Sequence, residues 1–386
     1  MTLKIAIVHS ELKVGGGSEA RALWLATALQ SVGQISIISM GEINLERLNT
    51  AYGTDLRSQD IEIVSIPVPR ILKNRFDAFR TYRLARYIRR VAPNFDLIIS
   101  AYNVMDFGRK GIQFIADFSF DDQLRRRFHP TVEGVQSGLY KKTLLRTIYL
   151  LIGKVLSGTQ KKNWLKNTTV ANSVWSRDIL RERYGLECEV IYPPVTNVFP
   201  AVPWELRENG FVLLGRISPE KQIEKVISIL GRVKDSGHNI HLHILGRPDD
   251  SHYTQYILEL CRKNADWIYF EGLILGEEKA RFIATHRYGI SGCRYESFGI
   301  AVAEMVKAGC LVWVPRGGGQ VEIVENEDLI FNSDQEAVDK IIRILESETK
   351  QNELRAHLKK QADHFSSDQF VAQVEMFVQR FLDEKN

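Results

Sequence analysis

Two carboxylates and two cations stand out in this chain by what surrounds them. Glu296 opens the turn Glu296-Ser297-Phe298-Gly299, which follows a short apolar run. A helical pattern comes next, with Ala301, Val302, Met305 and Val306 as its buried stripe. Glu304 follows Glu296 with seven residues between them. If the helix starts near Ser297, the amides of Phe298, Gly299 and Ile300 have no partner inside it, and the positive end of the helix dipole lies behind them. Such an N-terminus accepts phosphate. Gly299 has no side chain, so an anion can approach the backbone there. Glu304 can accept hydrogen bonds from ribose or sugar hydroxyls, and Glu296 from the group beyond the phosphates. The plain alternative is a pair of solvated glutamates. The coincidence of strand, glycine turn, helix and a second glycine turn, Gly317-Gly318-Gly319, argues for a site.

The cations lie in Leu214-Gly215-Arg216-Ile217-Ser218-Pro219-Glu220-Lys221, after another strand. Arg216 and Lys221 together suit a diphosphate, with arginine binding as a fork and lysine as a point charge. Gly15-Gly16-Gly17 sits between a strand and a helix and offers a second phosphate-compatible N-terminus, with Ser18 as cap and Glu19 in the first turn. An ordinary tight turn explains the same residues, and the spacing is not GxGxxG. His9, at the end of the first strand, is a polar candidate or a satisfied loop histidine. No Asp-x-Asp occurs, so no metal-binding residues are assigned, and helix dipoles with Arg and Lys are expected to handle the diphosphate.

These residues need elements to hold them. The first half alternates strands and helices, the pattern of a parallel sheet covered on both faces. Strands are expected at 4–8, 34–39, 61–66, 96–100, 111–115, 168–171 and 189–192, with helices at 19–31, 77–91 and 174–184. An irregular basic region, helical in part, covers 120–167. The proline-rich stretch 193–203 reads as a domain boundary. The alternation then repeats, with strands at 210–214, 240–245, 267–271, 288–291 and 310–314. Helices are expected near 219–236, 251–264, 276–285 and 297–309, and a last one near 368–383 has no strand after it. The domains expected are 1–200, 201–367 and a C-terminal helix over 368–386 that packs back on the first.

Composition narrows the class. The chain has 386 residues, is 44% hydrophobic and 25% charged, and so reads as globular. Its four cysteines form no CxxC pair, which fits buried thiols in a reduced compartment. No N-terminal signal is visible, and Leu144 to Leu156 is too short and too polar to cross a bilayer. A cytoplasmic protein is expected. Residues 1–200 hold 28 Lys+Arg and 18 Asp+Glu, a balance of +10, and the rest hold 23 and 29, a balance of −6. Segment 70–92 carries eight Lys+Arg and segment 123–166 carries ten, the latter with apolar residues between them. A solvated basic face, an anionic membrane surface and a nucleic-acid backbone are the readings. With no nucleic-acid recognition signature, the membrane is preferred and nucleic acid is not expected as a partner.

Glu296-Ser297-Phe298-Gly299-Ile300-Ala301-Val302-Ala303-Glu304, with Gly309-Cys310-Leu311-Val312-Trp313 and Gly317-Gly318-Gly319-Gln320-Val321-Glu322, resembles the signature of retaining glycosyltransferase family 4, enzymes of the GT-B fold. Gly215-Arg216 with Lys221 resembles the family's G-R-x-x-x-x-K-G, with Gln222 in place of the glycine. Gly246, after Ile244, matches a strand-ending I-x-G and lets the chain turn close to a nucleotide. Gly15 to Arg21 resembles G-G-G-x-E-R, displaced by one residue at the arginine. Asn172 to Ser176 and Tyr192 to Val195 also resemble family segments. Where many members carry a histidine after the fifth strand, this chain has Asp117, which takes part of that role or leaves it vacant.

The resemblance implies two Rossmann-like α/β domains facing across a cleft, with a nucleotide-sugar donor on the second and an acceptor on the first. Its implied chemistry is metal-independent transfer of a hexose with retention. Arg216, Lys221, Glu296 and Asp117 are the expected catalytic residues. Gly16, Gly17, Gly215, Gly246, Phe298, Gly299, Ile300 and Glu304 are the expected donor-binding residues. No cofactor is expected beyond the substrate, a GDP- or UDP-linked sugar, with mannose slightly favoured by the G-G-G-x-E-R loop. The expected acceptor is a lipid-linked or growing glycan at the inner membrane face, with the protein peripheral. A nucleotide-sugar epimerase of the same fold and a non-catalytic glycan- or nucleic-acid-binding protein are the rival readings.

Overall fold

The computed structural model describes residues 2–68, 77–128, 144–249 and 251–384. Parts of the two basic segments, 69–76 and 129–143, fall outside them. The chain divides into two units, Met1–Pro194 with Ser367–Asn386, and Val195–Ser366.

The first unit is a seven-stranded sheet made of β1 (Leu3–His9), β2 (Gly33–Met40), β3 (Ile61–Ile66), β4 (Leu97–Ser100), β5 (Ile112–Phe114), β6 (Thr168–Ala171) and β7 (Cys188–Val190). Its order is β3-β2-β1-β4-β5-β6-β7, and every pairing is parallel. The order reverses direction at β1 and β4. Helices therefore leave the two strands on opposite faces and open a crevice at their C-terminal ends, where such sheets bind ligands. Strands buried on both faces need apolar residues throughout, and Ile5, Ala6, Ile7 and Val8 are fully buried. One face packs the helix Gly17–Leu29 through Ala22, Leu25, Ala26 and Leu29. The last helix, Ser367–Asp383, returns to this same layer and buries Phe370, Val374, Phe377, Val378 and Phe381 in it. Each such side chain taken fully out of water contributes roughly 1.5–3 kcal/mol. The other face packs the helix Asp77–Val91 through Leu84 and Ile88.

The second unit repeats the plan with six parallel strands: β8 (Glu208–Leu214), β9 (His241–Leu245), β10 (Ile268–Gly272), β11 (His286–Ile290), β12 (Leu311–Pro315) and β13 (Ile330–Phe331). The order β10-β9-β8-β11-β12-β13 again reverses beside the unit's first strand, here between β8 and β11. Phe211, Tyr288 and Trp313 stack through its centre, with ring centroids 5.0–5.9 Å apart.

Some elements differ from expectation. The helix read over 219–236 is a single 3₁₀ turn, Pro219–Lys221, followed by the helix Ile223–Asp235. Gln222 separates them in the left-handed conformation, with φ of 48°. The strand β13 and the helices Asp334–Leu345 and Glu348–Ala362 were not anticipated. The strand is two residues long, and the second helix buries only Gln351, Leu354 and Leu358 of its fifteen residues, too thin a stripe to read.

Candidate active site

The second unit gathers its charged candidates at the C-terminal ends of β8 and β11. β8 ends at Leu214 and turns at Gly215, whose N–H donates to the Leu245 carbonyl at 3.0 Å. Gly246 passes so close that a Cβ there would sit 2.1 Å from the Gly215 oxygen. Gly215 and Gly246 thus let the ends of β8 and β9 meet backbone to backbone. Beyond Gly215 the chain carries Arg216 into solvent, its side chain 76% exposed and 3.1 Å from Glu220. The 3₁₀ turn then points Lys221 inward, where its ammonium bonds the Glu296 carboxylate. Burial alone would lower the lysine's pKa. The charge of Glu296, its hydrogen bond and the nearby Cys293 together outweigh burial and the pKa is raised, so Lys221 is a cation.

Glu296 is held by its backbone. The turn Gly317-Gly318-Gly319 lies against it, the Gly319 N–H donates to the Glu296 carbonyl at 2.8 Å, and a Cβ on Gly318 would fall 2.3 Å from that oxygen. Gln320, fully buried, donates from Nε2 to the carbonyls of Cys293 at 2.5 Å, Pro315 at 3.3 Å and Gly317 at 3.3 Å. The second glycine turn is therefore a clamp on the Glu296 loop.

The helix after Glu296 starts later than expected. It runs Ile300–Lys307, with Gly299 at its N-cap in the left-handed conformation at φ of 102°. The first intrahelical bond runs from the Ala303 N–H to the Gly299 carbonyl at 3.1 Å. The amides left without an acceptor inside the helix are thus those of Ile300, Ala301 and Val302, not Phe298 to Ile300. Phe298 instead buries its ring edge-on against Phe365, 5.5 Å away, and anchors the turn. A pocket at this helix start is lined by Lys221, Glu296, Gly299, Ala301, Val302 and Ser291 among others. Glu304 lies further along, its carboxylate accepting from Lys279 at 2.6 Å and Asn197 at 3.0 Å. Lys279 and Asn197 carried no sequence signal of their own.

In the first unit the candidates fall at the ends of β1, β4 and β5. Gly16 and Gly17 do start a helix, Gly17–Leu29, but Ser18 does not cap it. The Ser18 hydroxyl donates to the Glu19 carboxylate at 2.8 Å, and that carboxylate leans over Gly16, where a Cβ would meet it at 2.3 Å. The Tyr52 hydroxyl accepts from the Gly15 and Gly16 amides at 2.9 and 3.2 Å. This N-terminus, expected to be open to phosphate, is covered by the protein's own carboxylate and hydroxyl. Burial raises the Glu19 pKa.

Asp117 sits in a network. It accepts from Asn103 Nδ2 at 2.7 Å, the Ser119 N–H at 2.8 Å and the Tyr102 hydroxyl at 3.3 Å. Arg21, fully buried, donates to the Ala101 carbonyl at 2.7 and 3.2 Å and to the Ile115 carbonyl at 3.0 Å, capping the ends of β4 and β5. Burial lowers its pKa to about 10 against the pull of Asp117. His9 is buried 5.4 Å from the Tyr102 ring, and its Nδ1 accepts from the Glu11 N–H at 3.2 Å. Burial, then the Arg21 charge, pushes its pKa down to about 3, so the ring is neutral. Arg21 was legible as the lone arginine among apolar residues in Ala20-Arg21-Ala22-Leu23-Trp24-Leu25; Tyr102 and Asn103 had no comparable mark.

Comparison with known proteins places the fold. Residues 196–365 match the model of glycosyl transferases group 1. Two relatives carry the name GDP-Man:Man(3)GlcNAc(2)-PP-Dol alpha-1,2-mannosyltransferase. The one from Candida glabrata is 23% identical over 215 residues, 51% of this chain and 40% of its own length. The one from Dictyostelium discoideum is 22% identical over 264 residues, 63% of this chain and 52% of its own length. The match thus spans about half of those relatives or less. The crystal structure of Anabaena Alr3699/HepE in complex with UDP and glucose superposes with a TM-score of 0.70 at 14% identity, covering 99% of this chain and 100% of that one. The architecture is GT-B.

Proposed function

We propose that this chain, whose residues 196–365 match the model of glycosyl transferases group 1, transfers a hexose from a nucleotide-diphosphate sugar to a glycan or lipid-linked acceptor, with retention and without a catalytic metal. The observation that carries this is Lys221, a half-buried cation held against Glu296 beside the start of the helix Ile300–Lys307. A diphosphate there would take over Lys221, gain the amides of Ile300, Ala301 and Val302, and draw in Arg216. Charge growing on the departing diphosphate is then met by donors already in place, the usual large term in such catalysis. Glu296, released from Lys221, would take a sugar hydroxyl. Glu304, steadied by Lys279, would take the ribose. The first unit would offer the acceptor side, with Asp117 fixed as an acceptor of hydroxyl protons. The leaving phosphate itself would receive the acceptor's proton.

The relatives are named for a GDP-Man donor, and the structural neighbour holds UDP. A thermal-shift panel of GDP, UDP and ADP separates these, since ligand at a hundredfold its dissociation constant adds about 2.7 kcal/mol. Hydrolysis or transfer from the preferred sugar nucleotide then tests the chemistry. Conversion of the donor without an acceptor would favour an epimerase instead.

A peripheral membrane position is part of the proposal. The helix Leu144–Ser157 leaves Leu151, Val155 and Leu156 at 58%, 71% and 56% exposure. Exposed Arg83, Arg86, Arg90, Lys154, Lys161 and Lys162 belong to this helix, to Asp77–Val91 against which it packs, or to the turn that follows. Apolar side chains among cations suit an anionic bilayer surface, each cation adding about 1 kcal/mol. Among the described residues no helix is long and apolar enough to cross a membrane. Sedimentation with anionic vesicles at low and high salt checks this, and absence of binding at low salt would refute it.

A further inference from the structure

At the other end of the second unit's sheet, the strand starts bring together Glu208 on β8, His241 and His243 on β9, and His286 on β11. We propose that these four residues bind a divalent transition metal, zinc by preference, as a structural site separate from the diphosphate pocket. One ligand atom from each lies within 4.8 Å of the other three. His241 Nε2 lies 3.3 Å from a Glu208 oxygen, and His286 Nε2 stands 4.0 Å from the same oxygen. Tetrahedral zinc, with bonds of about 2.0–2.1 Å to nitrogen, needs ligand atoms roughly 3.3 Å apart, so a small inward movement completes the site.

The ring orientations are already set for a metal. His286 Nδ1 donates to the Phe282 carbonyl at 2.7 Å, and a carbonyl only accepts, so the proton is on Nδ1 and the lone pair on Nε2. That Nε2 is buried and has no hydrogen-bond partner. His243 Nδ1 sits 2.6 Å from the Glu271 carboxylate, the arrangement that orients a metal-binding imidazole and leaves its other nitrogen free. His241 Nε2 is likewise buried without a hydrogen bond. Gly210, on β8 between them, makes the convergence possible: a Cβ there would lie 2.4 Å from His241 Nε2 and 2.5 Å from His286 Cδ2. His241 Nε2 and His286 Nε2 are thus two buried ring nitrogens without a hydrogen bond, which is costly, and a cation removes that cost. Glu208, 58% exposed, supplies the charge and the entry path. Three imidazoles and one carboxylate are a borderline nitrogen and oxygen set that suits Zn²⁺ and leaves no open position for chemistry. The metal would tie β8, β9 and β11 at the ends opposite the pocket.

Metal-stripped, tag-free protein titrated with Co²⁺ tests this. The expected result is a visible absorption of tetrahedral cobalt that saturates at about one ion per chain and is displaced by Zn²⁺. His241→Gln should abolish it, and Glu271→Gln, which touches only the orientation of His243, should weaken it about 10–100-fold. Zinc should also raise the melting temperature of the unsubstituted protein. If a variant fails to fold, the wild-type titration and melting shift still decide. No saturable cobalt band, or uptake unchanged in both variants, would overturn the site.

Discussion

The two sheets share one plan and use it in opposite ways. In each, a glycine turn follows the first strand and polar side chains gather where the strand order reverses. In the first unit those groups are consumed internally: Arg21 is spent on strand-end carbonyls, Asp117 on Asn103, Ser119 and Tyr102, and Glu19 covers the helix start. In the second, the cations are paired with single carboxylates, Arg216 in solvent and Lys221 at the pocket. A buried arginine that satisfies carbonyls fixes a shape. A lysine paired with one carboxylate beside a helix N-terminus can exchange that partner for a phosphate. Similar topology therefore does not mean similar availability of charge.

The sharpest break in this contrast is Arg216→Ala. Turnover should fall about 10²–10³-fold, while melting stays within about 0.5 kcal/mol of the parent because the side chain is exposed. A loss under tenfold in a transfer assay removes Arg216 from the mechanism. Arg21→Leu should behave conversely. It leaves the Ala101 and Ile115 carbonyls unpaired and should cost about 1–3 kcal/mol per lost set of bonds in denaturant melts. Next comes Gly318→Ala, whose Cβ meets the Glu296 carbonyl. It should destabilise by about 1–3 kcal/mol and lower activity with it. Gly15→Ala is strained in φ but has no neighbour within 4 Å, and should cost less. At neutral pH the smallest effect belongs to His9, whose contribution shows only in acid. Its folded pKa is depressed to about 3 from 6.5, so the unfolded chain binds more protons between these values. Stability from this group is complete above pH 6.5 and declines as pH falls toward 3, so His9→Gln should flatten the acid limb of a melting-temperature profile.

The alternation of strands and helices was legible because buried parallel strands such as Ile5-Ala6-Ile7-Val8 leave continuous apolar runs. The glycine turn before Gln320 was legible as a motif, but its job was not: Gly318 serves the Glu296 backbone, and only coordinates show that approach. The helix start was misplaced by three residues because Gly299 adopts a left-handed turn that no periodicity reveals. Gln222, where the resembling motif has glycine, adopts a positive φ, the region glycine enters most readily. Arg21 was visible as an oddity in an apolar helix. Tyr102, Asn103, Lys279 and Asn197 were not, because their partners lie far away in sequence.

Calorimetric titration of GDP and UDP into the intact protein and into Lys221→Ala addresses the central claim. Saturable binding of one nucleotide, weakened at least about tenfold by the substitution as expected for loss of a charge-assisted contact, is the predicted result. No binding of either, or equal binding to both proteins, would contradict a diphosphate held by Lys221 at the start of the helix Ile300–Lys307.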